Sequence, residues 1–294
     1  MQYIGYPRNR LSGKYDCLKG IFLQFLLSLC VFPLIMPRFV SPQQKGFNVI
    51  WNNWLIVIPA RLSSTRLPQK PLADLAGKPL VIRVYERLKP LLDNGADLVV
   101  ATDSQLVMDA CQQHRVPSVM TDPGHQSGTD RCAEVARLRP RPFIMNVQGD
   151  EPFVHCGDLE ALARLMTEQK AGMGTMMHRN NRKADHENPN CVKVVVNDAH
   201  QALYFSRSPL PYYRAPQTFQ AFWQHLGVYA FSRDTLQKFC ALPQHPLELA
   251  ESLEQLRALG HNIPIVVSVA DHPAIGIDTP EDLEAARARF STFT

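Results

Sequence analysis

An apolar run, Leu55–Ile58, stops at Pro59 and gives way to a loop carrying Arg61, Arg66 and Lys70. That junction constrains the fold more than any other stretch of the chain. A short buried strand ending in a cationic loop is how an open α/β sheet presents a polyphosphate site, because ligands sit beyond the carboxyl ends of the strands, where loops reach them. Three cations over ten residues are costly to hold together unless an anion neutralises them. Ser63, Ser64 and Thr65 add hydroxyls and backbone N–H donors of the kind that line an anion nest. A solvated surface loop with scattered basic residues is the alternative that spacing leaves open.

From Leu55 onward, strand and helix patterns alternate, the signature of a mostly parallel α/β sheet. Strands are expected at 55–58, 97–101, 118–120, 142–147 and 263–269. Helices are expected at 80–92, 104–114 (capped by Ser104), 129–138, 157–169 and 282–290, the last opened by Thr279 and Pro280. Segments 192–197, 202–206 and 225–231 alternate like antiparallel or edge strands, joined by the turn Asn197-Asp198. Between them, 208–222 is rich in Pro and Tyr and reads as an excursion from the core. Segment 247–259 reads as one amphipathic helix with Leu249, Leu253 and Leu256 on a single face.

The formal charge of +4 over 294 residues is uneven. Residues 1–53 hold six of the 31 basic residues and one of the 27 acidic ones, leaving 25 against 26 for the rest. No nucleic-acid footprint follows from such a balance. The seven cysteines are scattered without a Cys-x-x-Cys pair, which argues against a zinc site or disulfide framework and fits a reducing cytoplasm.

Composition changes abruptly near Trp54, so residues 54–294 are expected to form the working domain and 1–53 an extension outside it. Within that extension, 21–36 is sixteen residues without a charge, interrupted by Pro33. A bilayer span usually needs about 20. The stretch is readable as a start placed too early, as a membrane anchor or as a signal peptide, although no small-residue cleavage site follows it.

Two carboxylate loops complete the chemistry. Asp150 in Val-Gln-Gly-Asp-Glu-Pro follows a buried strand, with Gly149 allowing close backbone approach. Magnesium takes one or two carboxylates plus substrate phosphates, and either Asp150 or Glu151 could supply one. Asp278 in Gly-Ile-Asp-Thr-Pro-Glu-Asp lies late in the chain, and spacing alone favours a helix cap there over a metal ligand.

In order along the chain stand IPAR-x3-TRLP-x-KPL (58–72), ATD (101–103), HQSGTDR (125–131), NVQGDEP (146–152), NPN-x-VKVV (188–195), LYFSR (203–207), HLGVYAF (225–231), LE-x2-ESLEQLR (247–257) and GIDTPEDL (276–283). Together they resemble the CMP-Kdo synthetases, the 3-deoxy-manno-octulosonate cytidylyltransferases, over residues 55–290. The resemblance implies a single Rossmann-like nucleotidyltransferase domain with a small antiparallel insertion used for homodimerisation. It implies CTP and 3-deoxy-manno-octulosonate (Kdo) as substrates, CMP-Kdo and pyrophosphate as products, Mg²⁺ as cofactor and a place in lipopolysaccharide inner-core synthesis. Ala60, Arg61, Arg66 and Lys70 would bind CTP, with Gln126, Ser127 and Gly128 near the base and ribose. Asp150 and Asp278 would hold the metal, with Lys70 counted among the catalytic groups. Arg207, His225, Tyr229, Glu254 and Gln255 would face the sugar acid. One departure is Gln69, where the family usually has Gly. A cytidylyltransferase for another acidic sugar (8-amino-Kdo or sialic acid) is the nearest rival. A catalytically silent, membrane-tethered binding protein is the rival from another class.

Overall fold

The computed structural model describes residues 49–64 and 66–291. Thr65 and the apolar stretch 21–36 lie outside the described residues, so the readings placed on them do too. The chain divides into two units, 1–45 and 46–294. Trp51, in a 3-10 turn, is buried in the main core with its ring 6.1 Å from that of Trp54.

The run that opens the domain forms β1 (Trp54–Pro59), buried along its whole length. Such a strand needs neighbours on both edges and cover on both faces. It lies in parallel register with β4 (Asp97–Thr102) and β6 (Phe143–Asn146), and β4 continues in parallel to β5 (Ser118–Met120). Before β4, a small hairpin of β2 (Asp74–Leu75) and β3 (Lys78–Pro79) turns through Ala76 and Gly77, both at positive φ, into α1 (Leu80–Asp93). Helices α2 (Gln105–Gln113), α3 (Gly128–Leu138) and α4 (Cys156–Glu168) follow β4, β5 and β6. Ser104 precedes α2 as expected, but its side chain makes no capping hydrogen bond.

The second half inserts antiparallel strands. β7 (Met173–Asn180) leads through α5 (Lys183–Glu187) to β8 (Lys193–Val196) and β9 (Ala202–Ser206), which pair antiparallel. β10 (Phe222–Ser232) runs antiparallel between β6 and β7, and β11 (Ile265–Ala270) closes the sheet parallel to β7. The order is β11-β7-β10-β6-β1-β4-β5, with β8 and β9 appended beyond β10. Segment 225–231, expected as an antiparallel or edge strand, is antiparallel and lies centrally rather than at an edge. The single helix expected over 247–259 is two, α7 (Pro246–Glu251) and α8 (Gln255–Gly260), separated where Ser252 takes a left-handed conformation at φ 50°. Leu253 and Leu256 are buried as expected, whereas Leu249 is 60% exposed. α6 (Arg233–Ala241) precedes this pair, and α9 (Pro280–Ser291) ends the described chain. Among the described residues no helix is long and apolar enough to cross a membrane.

Candidate active site

The carboxyl ends of β1 and β6 open onto a cleft with two compartments, because both strands stop at loops that cannot fold back over the sheet. The first, about 340 Å³, is lined by Ala60, Arg61, Arg66 and Lys70 from the loop after β1, with Asp150 and Asp278 opposite. Gly149 is needed where it stands: a Cβ there would lie 2.9 Å from the carbonyl oxygen of Pro59, under the closest approach side chains tolerate. That packing presses the Asp150 loop against the cation loop. A backbone bond of 3.0 Å from Ile277 N–H to Asp150 C=O draws in the Asp278 loop.

Lys70 is the hub. Its Nζ donates to Asp150 Oδ2 at 2.5 Å and to Asp278 Oδ1 at 2.9 Å, and Arg66 reaches the same Asp278 oxygen at 3.1 Å. Burial alone would lower the Lys70 pKa. The charges and hydrogen bonds of Asp150 and Asp278 outweigh it and raise the value, so the ammonium is fixed in its charged form. The helix-cap reading of Asp278 gives way here. Thr279 Oγ1 accepts from Asp282 N–H, the Asp282 carboxylate accepts from the N–H groups of Asp278 and Thr279, and the Asp278 side chain is left to the cations.

Glu151, the other ligand left open by sequence, is buried and set apart. Burial, then the charges of Asp150 and Asp278, push its carboxyl up to about 8, and it packs toward Gly227 of β10. Asp150 Oδ1 and Asp278 Oδ2 have no protein partner among the described residues, and no group of three His, Cys, Asp or Glu there could hold a metal by itself. Two carboxylates with spare oxygens beside a polyphosphate pocket fit magnesium, which completes its shell with substrate phosphates and water.

Gln69, exposed, precedes Lys70 at φ 53° and ψ 33°. That is the left-handed region, where glycine is at ease and any other residue is strained. The family's glycine is explained by this geometry, and Gln69 adopts it all the same.

The second compartment, about 410 Å³, shares Arg61, Gly128 and Gln148 with the first and adds Gln126, Ser127, Thr129 and Glu254. The floor is the start of α3, where Ser127 and Asp130 form a reciprocal capping box. Gly128 sits close under β1, since a Cβ would meet Pro59 Cγ at 3.2 Å. Arg61 reaches across to the Gln126 carbonyl at 3.3 Å. Thr129 Oγ1 donates to Glu254 Oε2 at 2.6 Å, joining this floor to the α7–α8 wall. Burial raises the Glu254 pKa against the opposing pull of Thr129, Ser127 and Arg257. Arg257 holds Glu248 through two hydrogen bonds of 2.9 and 2.6 Å, so the wall rests on a buried ion pair.

The other expected sugar-side residues are engaged with neighbouring groups. His225 Nε2 lies 3.0 Å from Thr175 Oγ1, which itself donates to Val228 C=O at 2.7 Å. The imidazole therefore donates from Nε2. Burial pushes its pKa down to about 3, so it is neutral. Tyr229 donates to Gln255 Oε1 at 3.0 Å, and burial raises its phenol well above the usual range. Arg207 spends its guanidinium on backbone carbonyls: Glu251 at 2.7 Å, Pro189 at 3.0 Å and Ser252 at 3.3 Å. Of the five, Gln255 is buried, Arg207, His225, Tyr229 and Glu254 each keep part of their surface exposed, and Glu254 lines the second compartment. Sequence reading left Asn146, Gln148 and Thr129 without a role, although all three line the cleft and two belong to the motif 146–152.

A mostly parallel sheet with a cation loop and two aspartate loops at its carboxyl edge defines a nucleotidyltransferase fold. Residues 55–265 match the cytidylyltransferase family, to which the chain belongs. A 3-deoxy-manno-octulosonate cytidylyltransferase from Polynucleobacter necessarius is 47% identical over 242 residues, covering 80% of this chain and 94% of the relative. One of the same name from Neisseria meningitidis serogroup A is 42% identical over 251 residues, covering 81% and 98%. The solved structure of CMP:2-keto-3-deoxy-manno-octonic acid synthetase complexed with CTP superposes with a TM-score of 0.77 at 41% identity, covering 82% of this chain and 99% of that one. A cytidylyltransferase from Leptospira borgpetersenii, at 16% identity, 82% and 88% coverage and a TM-score of 0.56, shares the fold.

Proposed function

We propose that this enzyme transfers CMP from CTP to the anomeric hydroxyl of Kdo, releasing pyrophosphate. The observation that carries the reading is Lys70 held between Asp150 and Asp278 at the end of a buried parallel strand. Before substrate binds, the two aspartates answer the charge of Lys70 and Arg66. When CTP arrives, these cations exchange carboxylate for phosphate oxygens, and Arg61 steadies the nucleotide from the second compartment. The anomeric oxygen of Kdo forms a bond to the α-phosphorus while the bond to the bridging oxygen breaks. Lys70 and Arg66 take up the charge that grows on the departing pyrophosphate. Mg²⁺ on Asp150 and Asp278 would supply further neutralisation of the phosphates. Gln126, Ser127 and Gly128 hold base and ribose, while Glu254 faces the sugar acid over a layer formed by His225, Tyr229, Gln255 and Arg207.

The enzyme works in the cytoplasm, where CTP is made, and as a homodimer through the β8–β9 hairpin and the loop that follows it. Leu203 and Tyr212 there are 60% and 82% exposed, a degree of apolar exposure that suits an interface. A coupled pyrophosphate assay with CTP and a panel of sugar acids tests the reading. Kdo is expected to be the preferred acceptor over 8-amino-Kdo and sialic acid. Asp150→Ala should lower turnover by about 10³-fold or more with the fold intact. Turnover near the parent rate would overturn the metal assignment.

A further inference from the structure

Behind the two carboxylate loops lies a separate cavity of about 490 Å³, larger than either compartment of the cleft and sharing no residue with them. Arg83 and Arg87 of α1, Phe153 and His155 of the loop after Asp150, His272 after β11 and Phe290 of α9 surround it. Phe153 and Phe290 lie with ring centres 5.1 Å apart, the guanidinium of Arg289 4.9 Å over Phe153 and that of Arg83 5.4 Å over Phe290. His155 and His272 stack face to face at 3.5 Å and 4°, giving one wall a flat aromatic surface.

The charges around the cavity are not balanced. The carboxylate of Glu86 on the wall is already paired, with Lys78 at 2.5 Å and Arg83 at 3.3 Å. Arg83 is further engaged by the carbonyls of Leu75 and Ala76. Arg87 differs. Its Nε donates to Val154 C=O at 2.8 Å, but its two terminal nitrogens meet no hydrogen-bond or ion-pair partner among the described residues. The adjacent His155 is made less basic by burial, then by His272 and Arg87, against the opposing charge of Asp158. Sites that accept small ligands combine this volume range and apolar walls with a few convergent polar groups.

We propose that this cavity is a second ligand site, taking a small anion with a flat unsaturated body, such as an aromatic carboxylate or sulfonate. The anionic group lies on the Arg87 fork, and the ring lies against the histidine stack, beside the arginine-capped phenylalanines. The position couples it to catalysis without competition for CTP. Phe153 stands three positions after Asp150, Arg87 holds the carbonyl of Val154, and Phe153 and Phe290 pack on the apolar cluster of Ile277, next to Asp278. A ligand there acts on both aspartate loops from behind.

The test titrates anilinonaphthalene sulfonate, followed by its fluorescence, into the full chain with and without saturating CTP and Mg²⁺. Saturable binding that survives CTP is expected, with displacement by benzenesulfonate but not by the neutral benzenesulfonamide. Arg87→Leu should weaken binding by roughly tenfold, the worth of one charge-assisted contact. Since that change also frees Val154, His272→Leu serves as the second variant, removing half of the stacking wall while leaving Arg87 in place. Competitive loss of the probe on adding CTP, a fluorescence rise that never saturates, or parent affinity in both variants overturns the proposal.

Discussion

The two compartments of the cleft are built on opposite plans. The phosphate end is an ion cluster carried by three loops, each attached to the end of a buried strand or the start of a helix, and its charges point at one another across a small gap. The end proposed for the sugar is a hydrogen-bonded wall: Glu254 lines the compartment, Tyr229 donates to the buried Gln255, and Arg207 gathers backbone carbonyls. A cluster of charges is exchangeable, because an incoming phosphate replaces one partner with another at little cost in packing. A hydrogen-bonded wall is not, because moving one member leaves buried polar groups unpaired. The phosphate end is therefore specified residue by residue, and the sugar end collectively.

The sharpest way to break this contrast is Lys70→Ala. It leaves Asp150 without its cation and Asp278 with Arg66 alone, and turnover should fall by about 10²–10³-fold with a folded protein by circular dichroism. Loss of folding instead would place the cluster among the structural elements.

At the sugar end, Arg207→Lys keeps the charge but cannot span three carbonyls. The Kdo KM is expected to rise by about tenfold while that for CTP moves little. An equal effect on both would show that the wall does not act as a separate unit.

A smaller effect tests the buried layer through pH. His225 has a folded pKa of about 3 against an ordinary 6.5, so the folded state binds fewer protons than the unfolded one. Its contribution to stability is complete above 6.5 and is lost as pH falls from there toward 3. Because the residue keeps some exposed surface, the loss between pH 7 and 5 is expected to be only about 1 kcal/mol. His225→Asn should flatten that acid slope in denaturant titrations. An unchanged slope would assign it to other groups.

Smallest of all, Gln69→Gly should relieve the left-handed strain and raise stability by about 1 kcal/mol, with turnover within twofold. A lower melting temperature would mean that the Gln69 side chain compensates for its backbone.

Legibility in the sequence follows the same division. β1 and β4 were readable because Val, Ile and Leu run through buried strands, and β6 because Phe143, Ile144 and Met145 form an apolar run. β7 was not: Met-Gly-Thr-Met-Met-His has a single β-branched residue, Thr175, and only its place between β10 and β11 makes it a strand. The break between α7 and α8 was hidden by leucines whose helical spacing continues across it. What imposes it is tertiary: Arg207 gathers the carbonyls of Glu251 and Ser252, and the Glu251 carboxylate accepts from Ser206 Oγ and the Arg207 N–H. The cations and Asp150 could be named from local motifs, since they follow strand ends. Asp278, which spacing reads as a helix cap, and the sugar-side residues could be named only by resemblance.

The bond from Ile277 to the Asp150 carbonyl also has a consequence for how the protein is made. Lys70 meets its second carboxylate 208 positions further along the chain. On the ribosome, the cation loop is therefore exposed for most of synthesis with half of its counter-charge still untranslated. A chain released before the last strand and helix would hold a phosphate-binding loop with a single aspartate and no closing stitch.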